Sequence, residues 1–263
     1  MGPVQKYTTR VEAVNSLVCV GLDADQEKLP PEFKKKQFPQ FEFNKFIIDQ
    51  TAEYVAAFKP NAGFYEEEGG AAELKMTMVY LQDKHPDIFT ILDAKRGDIG
   101  NTNDGYIRAI FDWLGFDAMT LHPYMGGESL KPFFDRADKV SIVLCRTSNP
   151  GSGELQDLLV QGKPLWQMVA EKVNGEWNKN NNCMLVVGAT YPEEMKTIRS
   201  VVGDMTFLVP GIGAQGGSVE EVVKAGINVQ KKGLIINSAR GIIFSENPAE
   251  EARKLRDEIN AYR

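Results

Sequence analysis

The chain has 263 residues, of which 43% are hydrophobic and 25% are charged, a balance typical of a globular protein with a sizeable core and not of a disordered one. The formal net charge is -6 and the lysines and arginines are scattered, so we expect no grip on the phosphate backbone of a nucleic acid polymer. No apolar run approaches the roughly 20 residues of a membrane span, and the first residues form no apolar signal region, so we expect a soluble, cytoplasmic protein with no membrane partner.

Short apolar runs recur along the chain, and each is followed by a polar or glycine-containing turn and then by a longer stretch with helical spacing. This pattern predicts eight strands, at 17–22, 56–60, 89–93, 118–122, 141–145, 184–187, 206–209 and 234–237. It also predicts eight helices, at 41–57, 67–84, 103–114, 128–135, 163–177, 192–201, 218–225 and 248–261. Because eight strand and helix units in about 250 residues are typical of one α/β barrel, we predict a single-domain (β/α)8 TIM barrel over residues 1–263.

A doubly wound open sheet is the main alternative to a barrel. Such sheets usually have fewer strands and often carry a glycine-rich dinucleotide turn after the first strand. Here the first predicted strand ends in Val20-Gly21-Leu22-Asp23-Ala24-Asp25, which lacks that turn. The sequence therefore favours the closed barrel.

Polar side chains follow most of the predicted strands, at the positions where a barrel gathers its active-site groups on one face. In chain order they are Asp23, Lys59, Asn61, Asp93, Lys95, Asp98, Thr147, Ser148, Asn149, Gly211, Gly213, Gln215, Ser238, Arg240 and Gly241. We expect these groups to converge.

The stretch after the third strand is the densest in charge, with two carboxylates and two cations in the six residues from Asp93 to Asp98. Alternate side chains of a strand point to one side, so Asp93 and Lys95 should project together. With Lys59 they would form an array of alternating charge in which opposite charges keep each other ionised. A salt-bridge network that only closes the top of the barrel is the alternative explanation.

The loops after the seventh and eighth strands predict a phosphate site. Residues 211–217 contain four glycines and precede a predicted helix, so backbone N–H groups can approach an anion there. Arg240, after the eighth strand, can hold a phosphate in bidentate geometry, and barrel enzymes often bind phosphate at these two loops. A merely flexible loop and a surface ion pair of Arg240 are the alternatives.

The cysteines and histidines form no metal-ligand pattern. Cys19, Cys145 and Cys183 each lie in or beside an apolar run, so we expect buried, reduced thiols and no disulfide framework. His85 and His122 do not cluster with them, whereas a structural zinc site needs about four converging ligands.

The string Asp93-Ala-Lys-Arg-Gly-Asp-Ile-Gly-Asn-Thr102 resembles the second sequence class of the orotidine 5'-phosphate decarboxylase family, and its Asp-x-Lys-x-x-Asp core resembles the wider suprafamily. Other strand-end motifs similar to that family are Phe58-Lys59-Pro60-Asn61, Pro123-Tyr124-Met125-Gly126 with residues 129–133, Thr147-Ser148-Asn149-Pro150, and Val209-Pro210-Gly211 with Gln215. The likeness extends from about Asp23 to Arg240. One departure is His122, where the family pattern leads us to expect Asn; we expect His122 to be a packed or hydrogen-bonded residue at the strand end.

The resemblance implies a homodimer with shared active sites that converts orotidine 5'-phosphate to uridine 5'-phosphate and CO2, the final step of de novo UMP biosynthesis, with no metal and no organic cofactor. It implies that Lys95 is the proton donor, within a charged tetrad completed by Lys59, Asp93 and Asp98 of the partner subunit. The implied substrate contacts are Asp23, Lys59 and the partner subunit's Thr102 for the ribose, Asn61 and Ser148 for the pyrimidine, and Gln215 and Arg240 for the phosphate.

Two other functions remain open on the sequence alone. A relative with the same Asp-x-Lys-x-x-Asp scaffold could act on a sugar phosphate through a magnesium-stabilised enediolate. A barrel that binds nucleotides without catalysis is also compatible with the fold, although a binder has no need of the charge array at Asp93 and Lys95.

Overall fold

Eight parallel strands form a closed barrel in which each strand pairs with its neighbours in the chain and the last pairs with the first. The computed structural model describes residues 2–67, 69–213 and 216–263. The barrel strands are β1 (Val18–Gly21), β2 (Ala57–Lys59), β3 (Phe89–Arg96), β4 (Ala118–Leu121), β5 (Val140–Arg146), β6 (Cys183–Val187), β7 (Phe207–Pro210) and β8 (Leu234–Ser238). The predicted α/β barrel is therefore confirmed, and no predicted strand end is wrong by more than three residues.

The strands are mostly apolar because both of their faces are covered. Every residue of β1, β4 and β6 is buried, with one face turned to the barrel interior and the other to the surrounding helices. This is the reason that the strands appear in the sequence as continuous apolar runs and not as alternating ones.

Helices follow the strands and form the outer layer of the barrel. The main ones are Pro39–Thr51, Gly70–Lys84, Gly100–Ile107, Gly126–Phe134, Leu165–Lys172, Pro192–Val202, Val219–Gly226 and Pro248–Ala261. Two of them continue as π-helical turns, over Arg108–Leu114 and Val173–Trp177. Short helical segments occur at Pro31–Lys34, Ala52–Tyr54, Ala62–Tyr65, Pro150–Ser152, Gly153–Gln156 and Arg240–Ile243.

Local sequence signals explain where several helices begin. Proline occupies the first turn of the helices at Pro39, Pro192 and Pro248, where its missing N–H breaks no helical hydrogen bond. Asn247 caps the last of these helices, since its side-chain oxygen accepts a hydrogen bond from the N–H of Glu250 at 3.1 Å.

Two predicted helices ran into a strand at one end, and the ends of several others were displaced by up to three residues, as in the helix predicted at 67–84, which begins at Gly70. The helix predicted at 41–57 stops at Tyr54, because the apolar residues that follow belong to β2 and are buried in the barrel. The helix predicted at 163–177 begins only at Leu165, because Lys163–Pro164 pairs with Leu159–Val160 in a small antiparallel hairpin.

An N-terminal helix, Pro3–Val14, was not predicted. It buries Tyr7 and Val11, and the Tyr7 hydroxyl donates a hydrogen bond to the carbonyl of Leu234, the first residue of β8. The helix thus packs at the N-terminal end of the strands, opposite the face where catalytic loops gather in barrels. Within the described ranges, no helix is both long and apolar enough to cross a membrane.

Candidate active site

A cavity of about 820 Å³ lies at the carboxyl ends of the barrel strands, within the usual range of about 300–1,000 Å³ for small-molecule sites. Most of the predicted site residues line it, namely Asp23, Lys59, Asn61, Asp93, Lys95, Ser148 and Arg240. Asp98 and Thr102 do not line it, and Gln215 lies outside the described residues. The convergence expected from strand ends is therefore present for residues that follow β1, β2, β3, β5, β7 and β8, with Gly211 and Gly213 as the contribution of β7.

Three charged side chains form a continuous array in the cavity. The Nζ atom of Lys59 lies 3.1 Å from Oδ2 of Asp93, and the Nζ atom of Lys95 lies 2.7 Å from Oδ1 of the same carboxylate. The side chains of Lys59 and Asp93 are 4% and 14% exposed, whereas that of Lys95 is 48% exposed. Lys95 is thus the member of the array that a ligand can reach most freely.

The backbone of β3 is irregular where it carries this array. Leu92 pairs with Met119 and Arg96 with Leu121, so three residues of β3 face a single residue of β4. Lys95 has a φ of 48°, in the left-handed backbone region that residues other than glycine rarely adopt. Asp93 and Lys95 do project together as expected, but through a bulge and not through the regular alternation of a strand.

The electrostatics of the array keep Lys59 and Asp93 ionised. Burial disfavours the charged form of Asp93, but Lys59 and Lys95 outweigh it and hold the pKa of the carboxyl well below its usual value. Burial likewise opposes the charge of Lys59, but Asp93 and Asp23 outweigh it and raise the pKa of the ammonium group. The cavity therefore presents a fixed alternation of charge at neutral pH.

Asp23 is in a different electrostatic position. Burial raises the pKa of its carboxyl, Lys59 opposes this effect and Asp93 adds to it. Its Oδ1 atom is buried and has no hydrogen-bond partner within the described part of the chain. A buried polar atom without a partner costs free energy, so this carboxyl is available for a hydrogen bond from a bound ligand.

Replacing Asp93 with Asn should lower the free energy of unfolding by about 3 kcal/mol, because the nearly buried ammonium of Lys59 would lose its nearest counter-charge. Asp135→Asn is the matched control. It removes the carboxylate of an exposed ion pair with Lys131, which should change the free energy by less than about 1 kcal/mol. Urea unfolding of both variants measures the difference, and equal stabilities would contradict the assigned coupling.

The segment after β5 holds Ser148 at the cavity wall. The Thr147 N–H donates to Oε1 of Gln156 at 2.9 Å, and Nε2 of Gln156 donates to the Thr147 hydroxyl at 2.8 Å. On the other side, a Cβ added at Gly188 would lie 2.7 Å from Cβ of Ser148, so only glycine lets β6 approach this closely. Ser148 is therefore fixed from both directions.

Arg146, the last residue of β5, anchors the same segment from within the protein. It is buried, its guanidinium lies 3.6 Å from the centre of the Tyr191 ring, and it donates a hydrogen bond to the Ser152 hydroxyl at 2.8 Å. Neither Arg146 nor Gln156 was predicted. Their partners Thr147 and Ser152 lie in the segment after β5 and Tyr191 lies in the loop after β6, and no spacing in the sequence indicates those contacts.

The candidate phosphate side of the cavity lies at the ends of β7 and β8. Gly211 and Gly213 line it with φ angles of 103° and 68°, which favour glycine. Arg240 is exposed to the cavity and forms no ion pair with any residue that the structure describes. Among the described residues, Arg240 therefore does not form the surface ion pair that the sequence left open as an alternative to phosphate binding.

Asp98 lies in the turn after β3 and does not line the cavity of its own chain. Its N–H donates to Oδ1 of Asn103 at 2.9 Å, and its Oδ1 accepts a hydrogen bond from the N–H of Ile99 at 2.8 Å. His122 fixes the start of this turn, since its Nε2 atom lies 3.0 Å from the carbonyl oxygen of Gly97. The expected hydrogen-bonded role of His122 at the strand end is confirmed.

The cysteines agree with the sequence interpretation, because Cys19, Cys145 and Cys183 are buried and free. Burial raises the pKa of the Cys19 and Cys183 thiols to about 12, so they are protonated and unreactive. Over the described ranges, no three His, Cys, Asp or Glu side chains come together in a group that could hold a metal ion.

A family model described as "Orotidine 5'-phosphate decarboxylase / HUMPS family" matches residues 16–255. The chain belongs to this family. It is 46% identical to a protein of Cellvibrio japonicus (strain Ueda107) named orotidine 5'-phosphate decarboxylase, a match that covers 100% of both chains. A protein of the same name from Janthinobacterium sp. (strain Marseille) is 44% identical, with 98% of both chains covered.

Solved structures agree with this membership in the orotidine 5'-phosphate decarboxylase family. The structure of Leishmania donovani OMP decarboxylase superposes with a TM-score of 0.90 at 40% identity and covers 100% of this chain and 99% of that one. The structure of Leishmania donovani UMP synthase gives a TM-score of 0.89 at 42% identity, and covers 98% of this chain but only 55% of that one. The family resemblance inferred from the strand-end motifs is confirmed, and the roles of individual residues stay predictions.

Proposed function

We propose that this protein decarboxylates orotidine 5'-phosphate to uridine 5'-phosphate and CO2, and so completes de novo UMP biosynthesis. The observation that carries the proposal is the Lys59–Asp93–Lys95 array in a nucleotide-sized cavity that also contains Arg240. Family membership over residues 16–255 supports it. In this proposal residues 1–263 form one catalytic domain. The three free thiols favour a cytoplasmic location, since secreted proteins more often form disulfides.

Lys95 supplies both the charge and the proton that the reaction needs. When the bond between pyrimidine C6 and the carboxylate carbon breaks, CO2 leaves and the electron pair stays on C6. A cation placed where this negative charge develops lowers the barrier. The ammonium of Lys95 then gives its proton to C6, and solvent can restore the proton because this side chain is only half-buried.

Asp93 keeps Lys95 in place and stays ionised. Its carboxylate contacts both lysines, and its depressed pKa leaves the negative charge intact when a second carboxylate, that of the substrate, enters the cavity. Repulsion between the two carboxylates disfavours the bound substrate and is relieved as CO2 departs. Thus the same residue orients the proton donor and favours release of the leaving group.

The remaining cavity residues fit the other parts of the nucleotide. Asp23 has a buried oxygen that finds no partner among the described residues, so it can accept a hydrogen bond from a ribose hydroxyl, and Lys59 lies beside it as a donor. Asn61 and Ser148 would contact the pyrimidine base. Arg240 would hold the phosphate, with Gln215 as its proposed companion.

Binding of the phosphate contributes to catalysis at a distance. The binding free energy of a part of the substrate that does not react can offset the cost of positioning C6 against Lys95. In a TIM barrel the phosphate commonly lies at the loops after the seventh and eighth strands, where Gly211, Gly213 and Arg240 are found.

We also propose a homodimer in which Asp98 and Thr102 serve the active site of the partner subunit. Both residues lie outside their own cavity although they follow directly on the charged array. Ile99, Tyr124 and Met125 are exposed large apolar side chains in the loops after β3 and β4, and such side chains are typical of surfaces that another protein covers.

A continuous absorbance assay of orotidine 5'-phosphate, run with and without a metal chelator, tests the proposed activity. We expect turnover that survives the chelator, with uridine 5'-phosphate and CO2 as products. Magnesium-dependent turnover of a sugar phosphate instead would indicate the enediolate chemistry of other members of the suprafamily. Binding of uridine 5'-phosphate without turnover of orotidine 5'-phosphate would indicate a nucleotide-binding protein.

Arg240→Ala should raise KM for orotidine 5'-phosphate by about 100-fold, since the loss of about 3 kcal/mol is typical for a charge-assisted bidentate contact. Arg253→Ala is the control, because Arg253 lies on the last helix in ion pairs with Glu250 and Asp257 and does not line the cavity. Steady-state kinetics measure both variants. An unchanged KM for Arg240→Ala would place the phosphate elsewhere.

A further inference from the structure

Thr120, in the middle of β4, contacts the charged array through one atom. Its Oγ1 lies 2.9 Å from Oδ1 of Asp93, and the N–H of Lys95 donates to the same Oγ1 at 2.9 Å. The residue is fully buried. Because Asp93 is ionised and can only accept, the hydroxyl proton of Thr120 points to the carboxylate, and its oxygen lone pair accepts the Lys95 N–H.

The Lys95 N–H needs this partner because the strand has lost its regular pairing. Between the pairs Leu92–Met119 and Arg96–Leu121, the bulge separates the backbone of β3 from that of β4. Lys95 also adopts the left-handed conformation, which is unfavourable for a residue with a side chain. The side chain of Thr120 therefore takes the place of a backbone acceptor and stabilises the bulge that directs Lys95 into the cavity.

We propose that Thr120 is a positioning residue for the decarboxylation proposed above, on which this inference rests. One hydroxyl holds the backbone of the proton donor and the carboxylate that binds its ammonium group. Oδ1 of Asp93 is thereby shared between Thr120 and Lys95, and the distance between proton donor and carboxylate is fixed before the substrate enters.

An ordinary structural threonine in this chain makes a different contact. Thr51 and Thr77 are also fully buried, and their hydroxyls donate to backbone carbonyls four residues earlier in their own helices, at 2.7 and 2.9 Å. The hydroxyl of Thr120 instead donates to a carboxylate of the active site on the neighbouring strand β3. This difference distinguishes a positioning role from simple satisfaction of a buried hydroxyl.

The test compares Thr120→Val, which keeps the shape and removes the hydroxyl, with Thr120→Ser, which keeps the hydroxyl. We expect Thr120→Val to lower kcat by about 10- to 100-fold, because small misplacements of reacting groups have effects of this size. KM and the affinity for uridine 5'-phosphate should change by less than about 3-fold, since phosphate and base contacts are untouched. Thr120→Ser should recover most of the lost kcat.

Thr51→Val is the matched control, because it removes a buried hydroxyl at the end of the barrel away from the cavity. An equal loss of kcat in this variant, a Thr120→Val kcat within 2-fold of the wild type, or no recovery in a folded Thr120→Ser would each overturn the inference. If Thr120→Val does not fold, Thr120→Ala replaces it in the same comparison. A wild-type protein without turnover would overturn the proposed function and this inference together, whereas an active wild type with an equally active Thr120→Val overturns this inference alone.

Discussion

Replacing Lys95 with Ala is expected to abolish measurable decarboxylation, with kcat lowered by about 10⁵-fold, because one substitution removes two contributions. Electrostatic stabilisation of a developing charge and proton transfer each contribute on the order of 10²- to 10⁴-fold. Lys59, the other lysine of the array, is held by Oδ2 of Asp93 at 3.1 Å with a side chain only 4% exposed, so we do not expect it to replace Lys95, whose side chain is 48% exposed.

The same variant should stay folded and still bind nucleotide. The side chain of Lys95 is half-exposed, so its loss creates no buried cavity, and Asp93 keeps its buried ion pair with Lys59. Calorimetric titration with uridine 5'-phosphate, together with a thermal melt, checks both points. Lys95→Arg is the informative companion, because it keeps a positive charge that does not release its proton in proteins, and we expect it to remain nearly inactive. Near wild-type turnover in Lys95→Ala would remove Lys95 from the mechanism.

The barrel could be predicted from sequence because its strands are buried on both faces. Runs such as that of β6, in which all five residues are buried, leave a continuous apolar signal between polar turns. The helix Pro3–Val14 has no such continuous run. Its apolar residues Val4, Tyr7, Val11 and Val14 do follow helical spacing, but this signal was overlooked. The small hairpin at Leu159–Val160 was missed because its residues are mostly exposed and its two strands have two residues each.

Some residues of the candidate site could likewise be predicted from the sequence, and others could not. Charged groups at strand ends are visible in a sequence once the barrel is inferred, because the fold brings the carboxyl ends of all strands to one face. Thr120 was not visible, because its importance depends on a bulge in β3 and on the register between β3 and β4, and its neighbours in β4 are ordinary core residues. Arg146 was not predicted either, because its contacts with Ser152 and Tyr191 depend on how the segments after β5 and β6 fold.

Mixing two inactive variants should restore activity if the active sites are shared. In a symmetric dimer each site would combine Lys95 of one protomer with Asp98 of its partner. Lys95→Ala and Asp98→Ala should each be inactive as homodimers, because every site lacks one member of the tetrad. A hybrid dimer of the two variants has one site in which both substitutions meet and one site in which neither is present.

The expected recovery follows from counting sites. If equal amounts of the two variants are mixed and the subunits exchange freely, about half of the dimers are hybrids and each has one intact site of two, so activity should rise to about 25% of the wild type. The position of Asp98, outside its own cavity in a turn held by Asn103 and His122, is the reason to expect this result. Lys95→Ala mixed with Lys59→Ala is the control, because both residues line the same cavity and a hybrid would then contain no intact site. Subunit exchange is verified by mass spectrometry of differently tagged variants. Hybrids that form without any gain in activity would show that Asp98 does not act in the partner's site.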